Sequence, residues 1–240
     1  MVHSYVQLMH KIFELRHRGF MITCGEITRY SEIKIIYIFE WRYVYMGKEL
    51  SEMTLEELWE LFPIILKEHN TDYKNWYEIE KQKLLSCLDK RDIVRINHIG
   101  STAVKGLIAK PTVDILLEID NESNIEQLKN TLLPIGWGLM TSQNNPCMRM
   151  TFTKGYTKEG FAEKVYHLHV RYNDNWNELY FRDYLIEHEE VAKEYGKLKL
   201  ELIKKYEHNR DGYTDAKSDF ILKYTEKAKK AYEDKYNPRK

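Results

Sequence analysis

The chain is poor in the residues that make linkers and cross-links. Eleven glycines and five prolines in 240 residues leave little room for long flexible connections. Cys24, Cys87 and Cys147 lie far apart and form no C-x-x-C pair, which argues against a zinc-finger motif and fits a reducing compartment. Net charge of either sign is also lacking, because 37 Lys and Arg offset 37 Asp and Glu. That balance argues against non-specific DNA binding, which draws on a basic excess to displace counterions. The longest apolar runs are short, such as the stretch at 35–39, whereas a membrane span needs about 20 residues. The first twenty residues carry Lys11, Glu14, Arg16 and Arg18 and no clean apolar core, so a signal peptide is not expected and the cytoplasm is.

What is present describes a folded domain. Hydrophobic residues make up 43% of the chain and charged residues 31%, enough for a core under a solvated surface. Residues 1–45 are rich in aromatics and lack clear capping or turn signals. They are expected to be an appendage or an over-long N-terminal extension, with a single domain over 46–240. Thr54 and Glu57 stand three apart as a capping box, predicting a helix over 55–68, bent at Pro63. Apolar spacing predicts a helix over 73–88 and another over 124–133. Strands are expected at 93–98, 112–119, 147–153 and 163–172, the last two joined by the turn-forming KGYTKEG. Three helices should follow, at 176–188, 189–207 and 214–233. Residues 174–240 balance 15 basic against 15 acidic side chains, as a solvated helical surface does.

The densest segment is INHIGSTAVKGLIAKPTVDILLEI, 96–119. Gly100 allows a sharp turn and close approach of a ligand. Ser101 and Thr102 offer hydroxyls and amides at a helix start, where an anion is favoured, and Lys110 adds charge. A Gly-Ser pair before a helix is also an ordinary cap. Strand parity sharpens the picture, because successive side chains alternate faces. Val113, Ile115, Leu117 and Ile119 face one way; Asp114, Leu116 and Glu118 face the other. His167, His169 and Arg171 share a face, as do Arg149, Thr151 and Thr153.

If these strands share one sheet, a single face carries Asp114, Arg149, His167, His169 and Arg171. Such a set suits a divalent metal and a phosphate. His-x-His on a strand also arises on ordinary exposed faces. Asp114 in an apolar strand is harder to dismiss, since a buried charge costs several kcal/mol unless paired, hydrated or metal-bound. His98 has the parity of Val94 and Ile96 and reads as a core histidine. Arg182 with Asp183, Tyr213 with Lys217, and Lys199 read as structural groups on amphipathic helices.

HIGSTAVKGLIAKPTVDILLEI, followed by HLHV, FRDYLIEH and YTDAKSDFI, resembles the GrpB family over about residues 50–230. The family is also found fused behind dephospho-CoA kinase. The resemblance implies an α+β, nucleotidyltransferase-like fold: a mixed sheet backed by helices, with a helical C-terminal part over 174–235. In that superfamily a Gly-Ser pair holds the triphosphate, and three acids on strands hold two magnesium ions. Gly100 and Ser101 match the pair and Asp114 the first acid. Leu116 occupies the second acid position, and no carboxylate of the right parity supplies the third.

The resemblance therefore implies a nucleotide or other small anionic ligand as partner, with nucleotidyl transfer as the reaction. Asp114 and His169 are the catalytic candidates. Gly100, Ser101, Thr102, Lys110, Arg149 and Lys217 are the ligand candidates. Asp114, His167 and His169 could take a divalent metal: Mg, Mn or Zn. A non-catalytic accessory or interaction domain is the alternative, and a zinc hydrolase built on Asp114 and the two histidines a third reading.

Overall fold

A computed structural model of the chain describes residues 48–239, so the expectation for 1–45 lies outside the described residues. Seven α-helices and five strands follow one another there. Thr54 caps α1 (Leu55–Leu61) through the expected reciprocal bonds with Glu57. The helix does not run through Pro63 to residue 68. Phe62 leaves the helical region at φ −123° and ψ 65°, as the residue before a proline is driven to do. The chain beyond is extended and held at Ile64 by the Glu207 carbonyl and at Lys67 by a bridge to Ala109.

Helix α2 (Tyr73–Cys87) leads into β1 (Ile93–Ile99), and β2 (Thr112–Ile119) follows the 100–111 connection. Asn124 caps α3 (Ile125–Leu132) by accepting the amide of Gln127. Three strands come next: β3 (Gly138–Gln143), β4 (Arg149–Thr157) and β5 (Gly160–Tyr172). Strand β3 is absent from the sequence expectation. Every residue of GLMTSQ is exposed on the sheet edge, so no burial alternation marks it. The β4–β5 hairpin is also longer than expected. Lys154–Thr157 continue the strand across an irregularity between Lys154 and Tyr156, leaving Lys158 and Glu159 as the turn.

The five strands form one mixed sheet in the order β1-β2-β5-β4-β3. Only β2 and β5 run parallel, in register Asp114↔His167, Leu116↔His169 and Glu118↔Arg171. The fold is α+β, with a mixed sheet backed by helices. One sheet face carries Val113, Ile115, Leu117, Phe152, Leu168 and Val170 and packs on Tyr73, Tyr77 and Leu84 of α2 and Leu128 and Leu132 of α3. Each such large apolar side chain contributes about 1.5–3 kcal/mol when fully buried.

The C-terminal helices are α4 (Asn177–Glu187), α5 (Glu189–Tyr206), α6 (Arg210–Asp215) and α7 (Ser218–Ala231). The single helix expected over 214–233 is thus two, with Asn209 capping α6 through Gly212. Helices α4, α5 and α7 share a small core with Val104 and Leu107 from the connection before β2. That packing brings α5 and α7 against the Gly100–Lys110 segment. Arg182 and Asp183, read as structural groups, form an ion pair at 2.6 Å. Arg182 also donates to the His98 carbonyl, tying α4 to β1. Among the described residues no helix is long and apolar enough to cross a membrane.

Candidate functional site

The second sheet face is polar at one end and apolar at the other. Register places Asp114 of β2 beside His167 of β5, and His169 one step further along the same face. The side chains converge: Asp114 Oδ1 lies 3.1 Å from His167 Nδ1 and 3.3 Å from His169 Nε2. A carboxylate only accepts, so both facing nitrogens carry their protons. Neutral His167 then has Nε2 free to accept, and the Tyr156 hydroxyl donates to it at 2.8 Å. Arg210 of α6 donates to that same hydroxyl at 3.0 Å. The result is a relay, Arg210 to Tyr156 to His167 to Asp114.

The charges follow from this wiring. Burial opposes ionisation of Asp114, but the hydrogen bonds from His167 and His169 outweigh it and hold the carboxyl well below its usual range. Burial pushes the His167 imidazole down, against the pull of Asp114. Among the described residues, Asp114, His167 and His169 form one group able to ligate a metal, their ligand atoms all within 4.8 Å of one another.

A cavity of about 190 Å³ adjoins Asp114. Its floor is the Gly100–Ser101 turn and the residues leading into β2, Lys110 and Thr112; α5, α6 and α7 close it with Tyr195, Lys199, Tyr213 and Lys217. Gly100 sits at φ 72° and ψ −174°, and a Cβ there would stand 2.5 Å from Asp114 Oδ2. Only glycine lets the turn lie this close to the carboxylate.

Three lysines surround the space. Lys199 Nζ donates to Ser101 Oγ at 3.1 Å and to the Ile108 carbonyl. Lys217 Nζ lies 4.1 Å from the Tyr213 ring centroid. Burial, then the neighbouring lysines, lower Lys199 to about 7. Burial and Lys110 lower Lys217 to about 7, and burial with Arg210 lowers Lys110 to about 8.

Most of the sequence-derived residues meet here; Arg149 does not, and Thr102 lines the cavity with its hydroxyl already engaged. Arg149 is remote from the cavity. Its register partner is Arg171, four residues along β5 from His167, and its guanidinium stacks 5.0 Å from the Trp176 ring. The Thr102 hydroxyl is committed to the fold: it donates to the Thr112 carbonyl and accepts from His98 Nε2, both at 3.0 Å. His98 is half-buried and satisfied, its Nε2 paired with Thr102 and its ring stacked on Tyr77 at 4.9 Å, and burial lowers it to about 4.

Lys199 is the residue whose reading changes most. It is no surface lysine but 3% exposed, in the cavity wall. A signal for it existed, because Val191, Tyr195 and Lys199 recur every four residues on the buried face of α5. Tyr213, read as structural, also lines the cavity.

The two-magnesium arrangement does not fit. Leu116 is fully buried and packs with Ile99, Trp176 and Leu179, so the second acid position is part of an apolar core. One carboxylate and two imidazoles suit a single ion of softer preference than a magnesium pair.

Comparison with known proteins agrees with this architecture. Residues 63–227 match the family described as GrpB protein. The chain belongs to the GrpB family. It is 34% identical over 161 residues to the glutamate-rich protein GrpB of Alkalihalophilus pseudofirmus, covering 66% of this chain and 91% of that one. It is 29% identical to UPF0157 protein YqkA of Bacillus subtilis over 68% of this chain, and spans only 46% of that relative's length. The crystal structure of conserved protein GrpB from Enterococcus faecalis superposes with a TM-score of 0.61 at 30% identity, over 70% of this chain and 99% of that one.

Proposed function

We propose that this GrpB-family protein binds the phosphate end of a small anionic ligand, a nucleotide foremost, in the cavity beside Gly100 and Ser101. One observation carries the reading: three lysines and a single carboxylate, Asp114, line one part-buried space of about 190 Å³. Asp114 is one carboxylate against three lysines, so the space holds more cationic groups than it has anions to match. Buried positive charge of this kind is relieved by an anionic guest. The volume is below the roughly 300–1,000 Å³ of a typical small-molecule pocket. It suits a phosphate or diphosphate group, with the rest of the ligand outside. Ser101, Lys110 and Lys217 are the contacts we assign to the phosphate.

Asp114, His167 and His169 would hold one divalent ion, with Zn or Mn favoured over Mg by the two nitrogen donors. Such an ion supplies Lewis-acid polarisation of a phosphoryl oxygen. Tyr156 and Arg210 would fix the orientation of His167 around it. The reaction suggested by the family resemblance is nucleotidyl transfer, in which His169 is either a ligand of that ion or the general base. The apolar packing of Leu116 favours a second reading, a non-catalytic accessory domain that retains the pocket without two-metal chemistry.

Titration calorimetry with ATP, GTP and CTP, each with Mg, Mn or Zn, separates the readings. Saturable binding that disappears in Asp114→Ala supports the pocket. Absence of binding by all three nucleotides with every metal moves the protein to the accessory reading.

A further inference from the structure

Ser101 and Lys199 lie 98 residues apart in sequence, yet α5 delivers the lysine amine to 3.1 Å from the serine hydroxyl. Both groups line the cavity, and Lys199 Nζ is held on its other side by the Ile108 carbonyl. In the charged amine Nζ donates to both oxygens; in the neutral amine one N–H still donates to Ile108, and the 3.1 Å contact reverses so that the lone pair accepts the Ser101 proton. The carbonyl then orients the base, as the third member of a nucleophile–base–orienter set does. Burial and the charges of Lys217 and Lys110 favour the uncharged amine. Ser101 is partly exposed, follows the sharp Gly100 turn, and has Lys199 as its side-chain partner.

We propose that Ser101 is a nucleophile activated by Lys199, and that it takes a phosphoryl or nucleotidyl group from a small phosphoanhydride. This rests on the reading of the cavity as a phosphate pocket. Ser101 Oγ bonds to phosphorus while the bond from phosphorus to the bridging oxygen breaks. The serine proton passes to Lys199 Nζ. The leaving phosphate or diphosphate departs as an anion, and Lys110 and Lys217, which both line the cavity, face its charge. The product is a phosphoseryl or nucleotidyl-seryl protein, released by water or an acceptor alcohol that attacks the same phosphorus and gives up its proton to solvent. Lys199 in its protonated form then returns the proton to Ser101.

The test treats the full chain with a fluorophosphonate, on which serine displaces fluoride, and locates the adduct by tandem mass spectrometry. The proposal expects labelling at Ser101, absent in Ser101→Ala. It expects a rate at least about 100-fold lower in Lys199→Arg, which keeps a long donor side chain but is always charged and cannot serve as base. Circular dichroism establishes that the variant is folded, and Lys199→Met replaces it if it is not. Where neither folds, the wild-type protein decides: Ser101 must label at least about 100-fold faster than every other serine. No adduct, an adduct elsewhere, or an undiminished rate in a folded Lys199 variant overturns the proposal. Pyrophosphate titration of the wild type keeps the two ideas apart. Binding without labelling overturns the nucleophile and leaves the pocket, whereas labelling without binding overturns the pocket.

Discussion

Replacing Gly100 by alanine tests how tightly the turn and the carboxylate are fitted. Two costs add. The backbone at φ 72° and ψ −174° belongs to a region that is essentially glycine-only, worth about 1–3 kcal/mol for another residue. The new methyl would also meet Asp114 Oδ2 at 2.5 Å, with Asp114 Cβ and Cγ at 3.2 Å. Asp114 cannot swing away freely, because His167 and His169 both hold its other oxygen. Overpacking of this kind adds about 1–3 kcal/mol. Together the loss is about 2–6 kcal/mol, or a fall in Tm on the order of 4–24 °C for a chain this size. Urea and thermal unfolding measure it. Gly106→Ala is the control, since Gly106 has φ 76° but nothing within 4 Å of a Cβ, so only the backbone cost applies. Equal losses at the two positions, or a Gly100→Ala protein within 0.5 kcal/mol of wild type, would refute the reasoning.

Other consequences can be measured separately. His98 is lowered to about 4 from an ordinary 6.5, so the unfolded chain takes up its proton first as pH falls. Stability should therefore decline between about pH 6.5 and 4, by up to about 3 kcal/mol from this group, and the decline should be shallower in His98→Gln urea melts. Leu116→Asp, which restores the missing acid, should destabilise the fold by several kcal/mol instead of creating a second metal site, because it buries an unpaired charge among Ile99, Trp176 and Leu179. A stable variant with two bound metals would contradict that. Tyr156→Phe removes the hydroxyl that orients His167 and should weaken zinc or manganese binding about 10–100-fold; unchanged affinity speaks against a metal at His167. An anion between Lys110 and Lys217 favours their charged forms, so binding near pH 8 should take up protons, visible as a calorimetric heat that changes with the ionisation enthalpy of the buffer.

The sequence disclosed the sheet face better than the cavity, for a physical reason. Parity along a strand is local, so Asp114, His167 and His169 could be placed on one face without knowing the register. The β2–β5 pairing then fixes Asp114 beside His167, which no local pattern determines. Parity also misled, because it put Arg149 on the right face but at the wrong end of the strand. Strand β3 left no periodic trace on its exposed edge. The cavity wall was hardest to read: Tyr195, Lys199 and Tyr213 reach it only through the docking of the C-terminal helices on the 100–110 segment. A lysine at a core position of α5 was the one local sign of that docking.

The central claim is that the lysine-lined space beside Gly100 and Ser101 takes a phosphate group. Titrating inorganic pyrophosphate into the wild-type protein, Lys217→Met and Lys110→Met tests it most directly. The account predicts one saturable site in the wild type, weakened at least about tenfold in each folded variant, since a hydrogen bond to a charged group is worth about 1.5–3 kcal/mol. Absence of saturable binding, or equal affinity in all three proteins, would contradict it.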